Sequence, residues 1–261
     1  MTEQNHKESR TRDVHAAALI VGNEILSGRT QDKNIFFIAE TLHAHGIVLS
    51  EVRIVEDDEA AITEAVTILR FRYDYVLMTG GIGPTHDDRT SVAVARAFCC
   101  PLVCDEEALA RLRHHYGERL NESRKKMAYV PKGSVLIDNP ISHAPGYRMG
   151  NVLVMAGVPL IMQAMLRGVV GSLRGGRVMH STSLACACAE GDIAPILDDH
   201  QKRHHDIDIG SYPWFTSKDL GVNVVLRGYD SKGLVHVTQS LQKALTEQGY
   251  DVKQYKRGDS T

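Results

Sequence analysis

Ten residues, Thr79-Gly80-Gly81-Ile82-Gly83-Pro84-Thr85-His86-Asp87-Asp88, combine three glycines, a proline and a closing pair of carboxylates. Backbone built on glycine can bring its N–H groups against a phosphate or carboxylate, because no Cβ blocks the approach and positive φ carries no strain. Proline stiffens the way out. The loop lacks the Gly-Lys-Ser/Thr ending of a P-loop, and its glycine spacing differs from a dinucleotide fingerprint. Its two carboxylates, Asp87 and Asp88, repel an anion unless a divalent cation lies between them or the guest offers donors. Metal-assisted phosphate chemistry and recognition of a polar ring both resolve that conflict. A plainer role competes for Asp88: Thr85 and Asp88 have the spacing of a variant capping box, Thr85 capping a helix and Asp88 reaching back.

Other turns carry similar chemistry. Gly22-Asn23-Glu24 follows a short apolar run, Glu56-Asp57-Asp58 follows another, and Gly157-Val158-Pro159 lies between a strand-like and a helix-like segment. In open α/β sheets, ligands bind outside the carboxyl ends of strands. Parallel neighbouring strands would line these turns along one crevice, with Asp58 and Asp88 facing each other and Glu24 beside them. For Asp58 the competing role is a helix N-cap, and for Glu24 a solvated loop.

The elements that must position these residues follow from periodicity. Residues 14 to 174 alternate strand-like and helix-like segments, which predicts an open, mostly parallel α/β sheet with helices on both faces. Ala16–Val21, Ile47–Val55 and Tyr75 onward read as strands. Ser134–Ile137 and Asn151–Met155 read likewise. Helices are expected over Asn34–His45, after Asp58, from Ser91, from Asp105 to about Arg119, near Lys125, and over Pro159–Val170. Leu173-Arg174-Gly175-Gly176-Arg177 breaks the rhythm. Residues 177 to 256 then run strand (Val178–Ala185), helix (Asp192–His204), strand (Ile207–Ser211), strand (Val222–Arg227), helix (Ser231–Gln248), strand (Tyr250–Tyr255). That β-α-β-β-α-β order predicts a small α+β ferredoxin-like domain. Residues 1 to 13 are polar and mixed in charge and read as a disordered tail.

Composition narrows the function classes. At 261 residues, 43% hydrophobic and 24% charged, the chain reads as globular, and its net charge of −2 gives no electrostatic case for a nucleic-acid partner. No apolar stretch is long enough to span a bilayer, and the start lacks the apolar core of a signal peptide, so neither membrane attachment nor secretion is expected. Five cysteines without a secretion signal fit reduced thiols in a cytoplasm. His200 and His204 share a helix face but lack an evident third zinc ligand, and Cys186 and Cys188 read as small core residues. The Arg124-Lys125-Lys126 run reads as a solvated face, with a phosphate role as the alternative.

These blocks resemble the molybdopterin-binding family of molybdenum-cofactor biosynthesis, in its branch related to the competence/damage-inducible protein CinA. The resemblance rests on Gly22-Asn23-Glu24-Ile25-Leu26-Ser27-Gly28, Gln31-Asp32-Lys33-Asn34, Val55-Glu56-Asp57-Asp58-Glu59, the whole Thr79–Thr90 loop, Asn139-Pro140, Ala144-Pro145-Gly146 and Gly157-Val158-Pro159, in family order over residues 14 to 170. The loop also resembles the amino-terminal domain of eukaryotic FAD synthases. The resemblance implies a pocket for a small-molecule guest, a phosphorylated pterin (molybdopterin) or a nucleotide. Its walls would include Gly22, Asn23, Glu24, Gly28, Asp32, Thr79, Gly80, Gly81, Gly83, Pro84, Thr85, Gly146, Gly157 and Pro159. Asp58 and Asp88 match aspartates of functional importance in the adenylyltransferase branch, and Asp88, with Asp87 or Asp58, would hold a divalent metal (Mg, Mn or Co). In the CinA-like and FAD synthase branches the fold is associated with metal-dependent hydrolysis of nucleotide pyrophosphates such as ADP-ribose or FAD. Non-catalytic binding, and adenylyl transfer to molybdopterin, are the alternatives. The usual Pro-Gly-Val-Pro stands here as Ala156-Gly157-Val158-Pro159, and nothing matches the amide-hydrolysing domain of longer CinA proteins, so deamidation is not expected. Relatives assemble as dimers or trimers, which implies a homo-oligomer.

Overall fold

The computed structural model describes residues 12–216 and 219–255, so most of the expected N-terminal tail lies outside the described residues. The chain forms two compact units, one through Gly176 and one from Arg177.

The first unit opens with β1 (Val14–Val21), whose side chains are buried at all positions but one, as a central strand covered on both faces requires. A one-turn helix α1 (Asn23–Leu26) then leads to α2 (Asn34–Ala44), β2 (Ile47–Val55), α3 (Glu59–Arg72) and β3 (Tyr75–Thr79). Next come α4 (Thr90–Ala97), β4 (Leu102–Cys104), α5 (Glu106–Tyr116), α6 (Glu122–Lys125) and β5 (Tyr129–Pro131). The unit ends with β6 (Val135–Ile137), β7 (Gly146–Met149), β8 (Val152–Met155) and α7 (Pro159–Val169). Six strands pair in the order β2-β1-β3-β8-β7-β6. The first four are mutually parallel, while β7 runs antiparallel to β8 and β6 antiparallel to β7, so the sheet is mostly parallel as expected. Alternate β1 residues feed two cores. Ala17, Leu19 and Val21 pack with α3 and α4, whereas Ala16 and Ala18 pack with α2 and α7. β4 and β5 form a separate two-stranded ribbon.

The second unit contains β9 (His180–Cys186), α8 (Glu190–Arg203), β10 (Ile207–Phe215), β11 (Leu220–Gly228), α9 (Ser231–Glu247) and β12 (Val252–Tyr255). The four strands pair in the order β10-β11-β9-β12, all antiparallel, with both helices packed on one core. This is the ferredoxin-like arrangement read from the element order. α8 starts two residues earlier than Asp192 and carries Pro195 inside it, without a side-chain N-cap. Cys186 and Cys188 are buried, and desolvation pushes the Cys186 thiol up to about 11, so it behaves as an apolar core group. His200 is buried, with Nδ1 bonded to the Ile196 carbonyl. Among the described residues no cluster of acidic, histidine or cysteine side chains is arranged to hold a metal.

Candidate ligand-binding site

The turns after β1, β2, β3 and β8 meet at the carboxyl ends of the parallel strands. They surround a cleft of about 440 Å³ whose walls include Glu24, Asp57, the Gly80–Pro84 segment, Asp87, Asp88 and Gly157-Val158. Tyr116 and Met127 come from α5 and the turn before β5, and Ser142 and Ala144 from the loop after β6. Among the described residues no lysine or arginine lines this cleft.

The glycine loop is held by its own side chains. Thr90, buried at the start of α4, donates its hydroxyl to the Gly80 carbonyl at 2.9 Å and its N–H to the Gly81 carbonyl at 3.0 Å. Gly80 continues the sheet by donating to the Met155 carbonyl. At φ +99° its missing Cβ would lie 2.3 Å from the Val21 carbonyl oxygen, and at Gly81, φ +68°, 2.3 Å from the Thr90 hydroxyl. Only glycine fits either position. Asp88 Oδ1 accepts from the Gly83 N–H at 2.7 Å, and Oδ2 accepts from the Thr85 N–H at 2.7 Å and hydroxyl at 2.6 Å. The Asp88 carboxylate thus fills part of the loop's own anion nest. The N–H groups of Gly81 and Ile82 have no acceptor among the described residues, and these two donors remain for a guest.

Two expectations are corrected here. Thr85 is no helix cap: α4 begins at Thr90 after Arg89, and the Thr85 hydroxyl donates to Asp88 instead of accepting a backbone N–H. Asp58 is exposed and spends Oδ1 on the Ala60 and Ala61 N–H groups, 2.9 Å each, as the N-cap of α3. The carboxylate of that turn on the cleft wall is its half-buried neighbour Asp57, whose Oδ2 accepts from the Asn23 N–H at 2.8 Å. Asp58 and Asp88 therefore do not face each other across the cleft.

The other expected residues divide by place. Glu24, Gly80, Gly81, Gly83, Pro84, Asp87 and Gly157 line the cleft, and Thr85 lines a pocket on the loop's other flank. Thr79, Asp32 and Pro159 border a much smaller recess of about 60 Å³, where Asp32 accepts from the Ile35 N–H at 2.7 Å and steadies the start of α2. Gly22 is buried and bonds to the Val55 carbonyl, Asn23 offers its N–H to Asp57, and Gly28 is exposed in a turn with φ +71°. Gly146 starts β7, where a Cβ would lie 2.2 Å from the Val154 carbonyl oxygen, so its role is sheet packing. The nearby Thr85 side chain first, and Asp87's own N–H second, lower the exposed Asp87 carboxyl from its usual range, although the Thr85 hydroxyl proton itself goes to Asp88. Sequence reasoning missed Asp57, Tyr116, Met127 and Ser142. Only Asp57 carried a signal, one residue from the one chosen.

Residues 17–175 match the family described as the probable molybdopterin binding domain. The chain belongs to this family. Residues 178–253 match the middle domain of FAD synthase. A Pyrococcus furiosus protein is 34% identical over 233 residues, spanning 83% of this chain and 92% of that relative. A CinA-like protein of Syntrophus aciditrophicus is 34% identical over 79% of this chain and 52% of its own length. The crystal structure of CinA from Thermoplasma acidophilum superposes on 60% of this chain and 98% of its own, with a TM-score of 0.58 and 37% identity. Within this molybdopterin-binding-like unit no helix among the described residues is long and apolar enough to cross a membrane.

Proposed function

We propose that the cleft binds a phosphorylated pterin or a nucleotide and that the protein hydrolyses nucleotide pyrophosphates of the ADP-ribose or FAD type with a divalent metal. The observation that carries the reading is that Gly81 and Ile82, whose N–H groups have no acceptor among the described residues, line a cleft walled by Glu24, Asp57 and Asp87 without a lysine or arginine. A diphosphate seated on those donors brings negative charge toward carboxylates, and that combination is tolerable only with a cation between them.

The donor set fits such an ion: all its groups are carboxylate oxygens, and Mg²⁺ commonly takes one or two protein carboxylates plus substrate phosphates instead of a closed protein cage. Asp87, exposed and anionic, and the unshared oxygen of Asp57 are the groups to hold it, since Asp88 is committed to the loop. When bound, a divalent ion supplies an acidified water and offsets charge at phosphorus. The protein's own part is positioning: Gly81 and Ile82 orient the phosphate oxygens, and Tyr116 and Met127 on the cleft wall meet the rest of the guest. ADP-ribose and FAD incubated with Mg²⁺, Mn²⁺ or Co²⁺, with and without EDTA, test this by nucleotide release. Equal turnover with EDTA would remove the metal from the mechanism.

The absence of a ready-made metal cluster among the described residues favours one second reading, a protein that holds the ligand without chemistry. It expects thermal stabilisation by the same ligands and no product. Assembly as a homo-oligomer in the cytoplasm belongs to the same proposal, with sedimentation equilibrium as its check.

A further inference from the structure

An open pocket of about 430 Å³ lies at the tip of the glycine loop. Thr85 and His86 form its loop side, and Asn121, Ser123, Arg124 and Lys126, from α6 and its two ends, form the other. Pro84 lines both this pocket and the acidic cleft, so the two adjoin there. Their charges are opposite. The cleft carries carboxylates without a lysine or arginine, whereas the pocket carries both cations and, among the described residues, no carboxylate. A recess lined by one sign of charge concentrates its field on ions of the other.

Neither cation is spent elsewhere. Lys125 pairs with Glu122 at 2.7 Å, but Arg124 and Lys126 make no ion pair among the described residues. Arg124 is half-buried and held in place. Its guanidinium lies 4.6 Å from the centre of the Tyr116 ring and donates to the Arg119 carbonyl, and its backbone N–H bonds to Asn121 Oδ1 at 2.9 Å. An arginine fixed in advance loses less freedom on meeting an anion. The Asn121 NH₂ and the Ser123 hydroxyl have no acceptor among the described residues and add two neutral donors. Two cations and two neutral donors match a tetrahedral dianion with several acceptor oxygens.

We propose that this pocket is a phosphate subsite, in which Arg124 and Lys126 bind a phosphate monoester without a metal. Inorganic phosphate and the phosphate of a nucleotide present the same oxygens to it. The subsite goes beyond the proposed function, because it uses neither the Gly81–Ile82 seat nor a divalent ion. A guest with two separated phosphates engages both places, one on each side of Pro84.

The test titrates inorganic phosphate, AMP and adenosine into the full chain by calorimetry at low salt with EDTA present. Phosphate and AMP should bind, and adenosine should not. AMP tighter than phosphate assigns the subsite to a nucleotide, and equal affinities assign it to the free ion. Lys126→Gln, at an exposed position, should weaken phosphate about tenfold, the low end for one bond between charged groups in an open pocket. Arg124→Gln should act in the same direction, and added salt should weaken wild type toward the variants. Lys125→Gln removes the same charge from a side chain outside the pocket and should change little. Absence of phosphate binding in EDTA, or equal losses in Lys125→Gln and Lys126→Gln, overturns the subsite. Adenosine binding as well as AMP, with neither affected by Lys126→Gln, overturns it too. Metal-dependent turnover is read separately, so phosphate binding in EDTA without any turnover keeps the subsite and refutes the hydrolase reading alone.

Discussion

Asp88→Asn separates loop closure from metal binding. The native carboxylate accepts three hydrogen bonds, from the Gly83 N–H, the Thr85 N–H and the Thr85 hydroxyl. An asparagine with its oxygen toward Thr85 turns its NH₂ against the Gly83 N–H and loses that bond, and the two Thr85 bonds fall to about half strength on a neutral oxygen, so the equivalent of about two charged bonds is lost. Bonds to a charged acceptor contribute about 1.5–3 kcal/mol each, and partial exposure at this loop places them at the low end, giving about 2–4 kcal/mol for opening the loop. The loop can open without the sheet, so the effect is local: roughly a 30- to 1000-fold rise in the open population with only a small change in global melting. Hydrogen exchange reads it directly, as protection lost at the Gly83 and Thr85 amides and kept in β1 and β3. Affinity for pyrophosphate should fall with it, since Gly81 and Ile82 lose their frame. Unchanged protection at those two amides would refute the argument that Asp88 acts through the backbone.

Other perturbations have distinct signatures. Asp58→Ala should cost about 1 kcal/mol of stability through loss of the α3 cap and leave ligand affinity intact, whereas Asp57→Asn should weaken metal-dependent binding; thermal melts and titrations on both variants decide it. Gly80→Ala forces a Cβ to within 2.3 Å of the Val21 carbonyl oxygen at φ +99° and should destabilise by about 2–3 kcal/mol or more, seen in chemical denaturation. Tyr73 donates its hydroxyl to Glu51 at 2.7 Å, which with Arg53 lowers the Glu51 pKa from the ordinary 4.5 and, through Glu51, raises that of Tyr73 from 10.0. The Glu51 contribution is full above pH 4.5 and is lost as pH falls through its depressed value; that of Tyr73 is full below pH 10.0 and is lost as pH rises through its raised one. The stability gap between wild type and Tyr73→Phe should therefore be flat in between and close at both ends, and a gap independent of pH would count against the bond.

The parallel strands and their helices were readable because buried strands such as Tyr75–Thr79 are unbroken apolar runs and α3 repeats its apolar face at Ile62, Ala65, Val66 and Leu69. Three short strands were not. Leu102–Cys104 and Tyr129–Pro131 are three residues each, too short for a period, and Gly146–Met149 opens with a glycine that reads as turn. The glycine loop announced itself by composition, but its closure did not: Thr85 and Asp88 have capping-box spacing, and only the start of α4 at Thr90 shows that they bond to each other within the loop. The choice between Asp57 and Asp58 was hidden for a similar reason. Adjacent carboxylates look alike in sequence, and the one whose neighbours enter the helix is drawn to the cap. Tyr116 and Met127 reach the cleft from a region whose local pattern reports only helix packing.

A Cβ placed on Gly157 would come within 3.2 Å of the Gly80 Cα, so the turns after β3 and β8 touch main chain to main chain. The Asn34 side chain, buried at the start of α2, grips the Gly157 carbonyl from behind at 2.8 Å. With no side chain between them to act as a cushion, neither turn can shift on its own to suit a different guest. Discrimination among cofactors must then arise from the softer surroundings (Met127, Tyr116 and the segment bearing Ser142), and evolution of new specificity in such a scaffold would change those positions while leaving the glycines fixed.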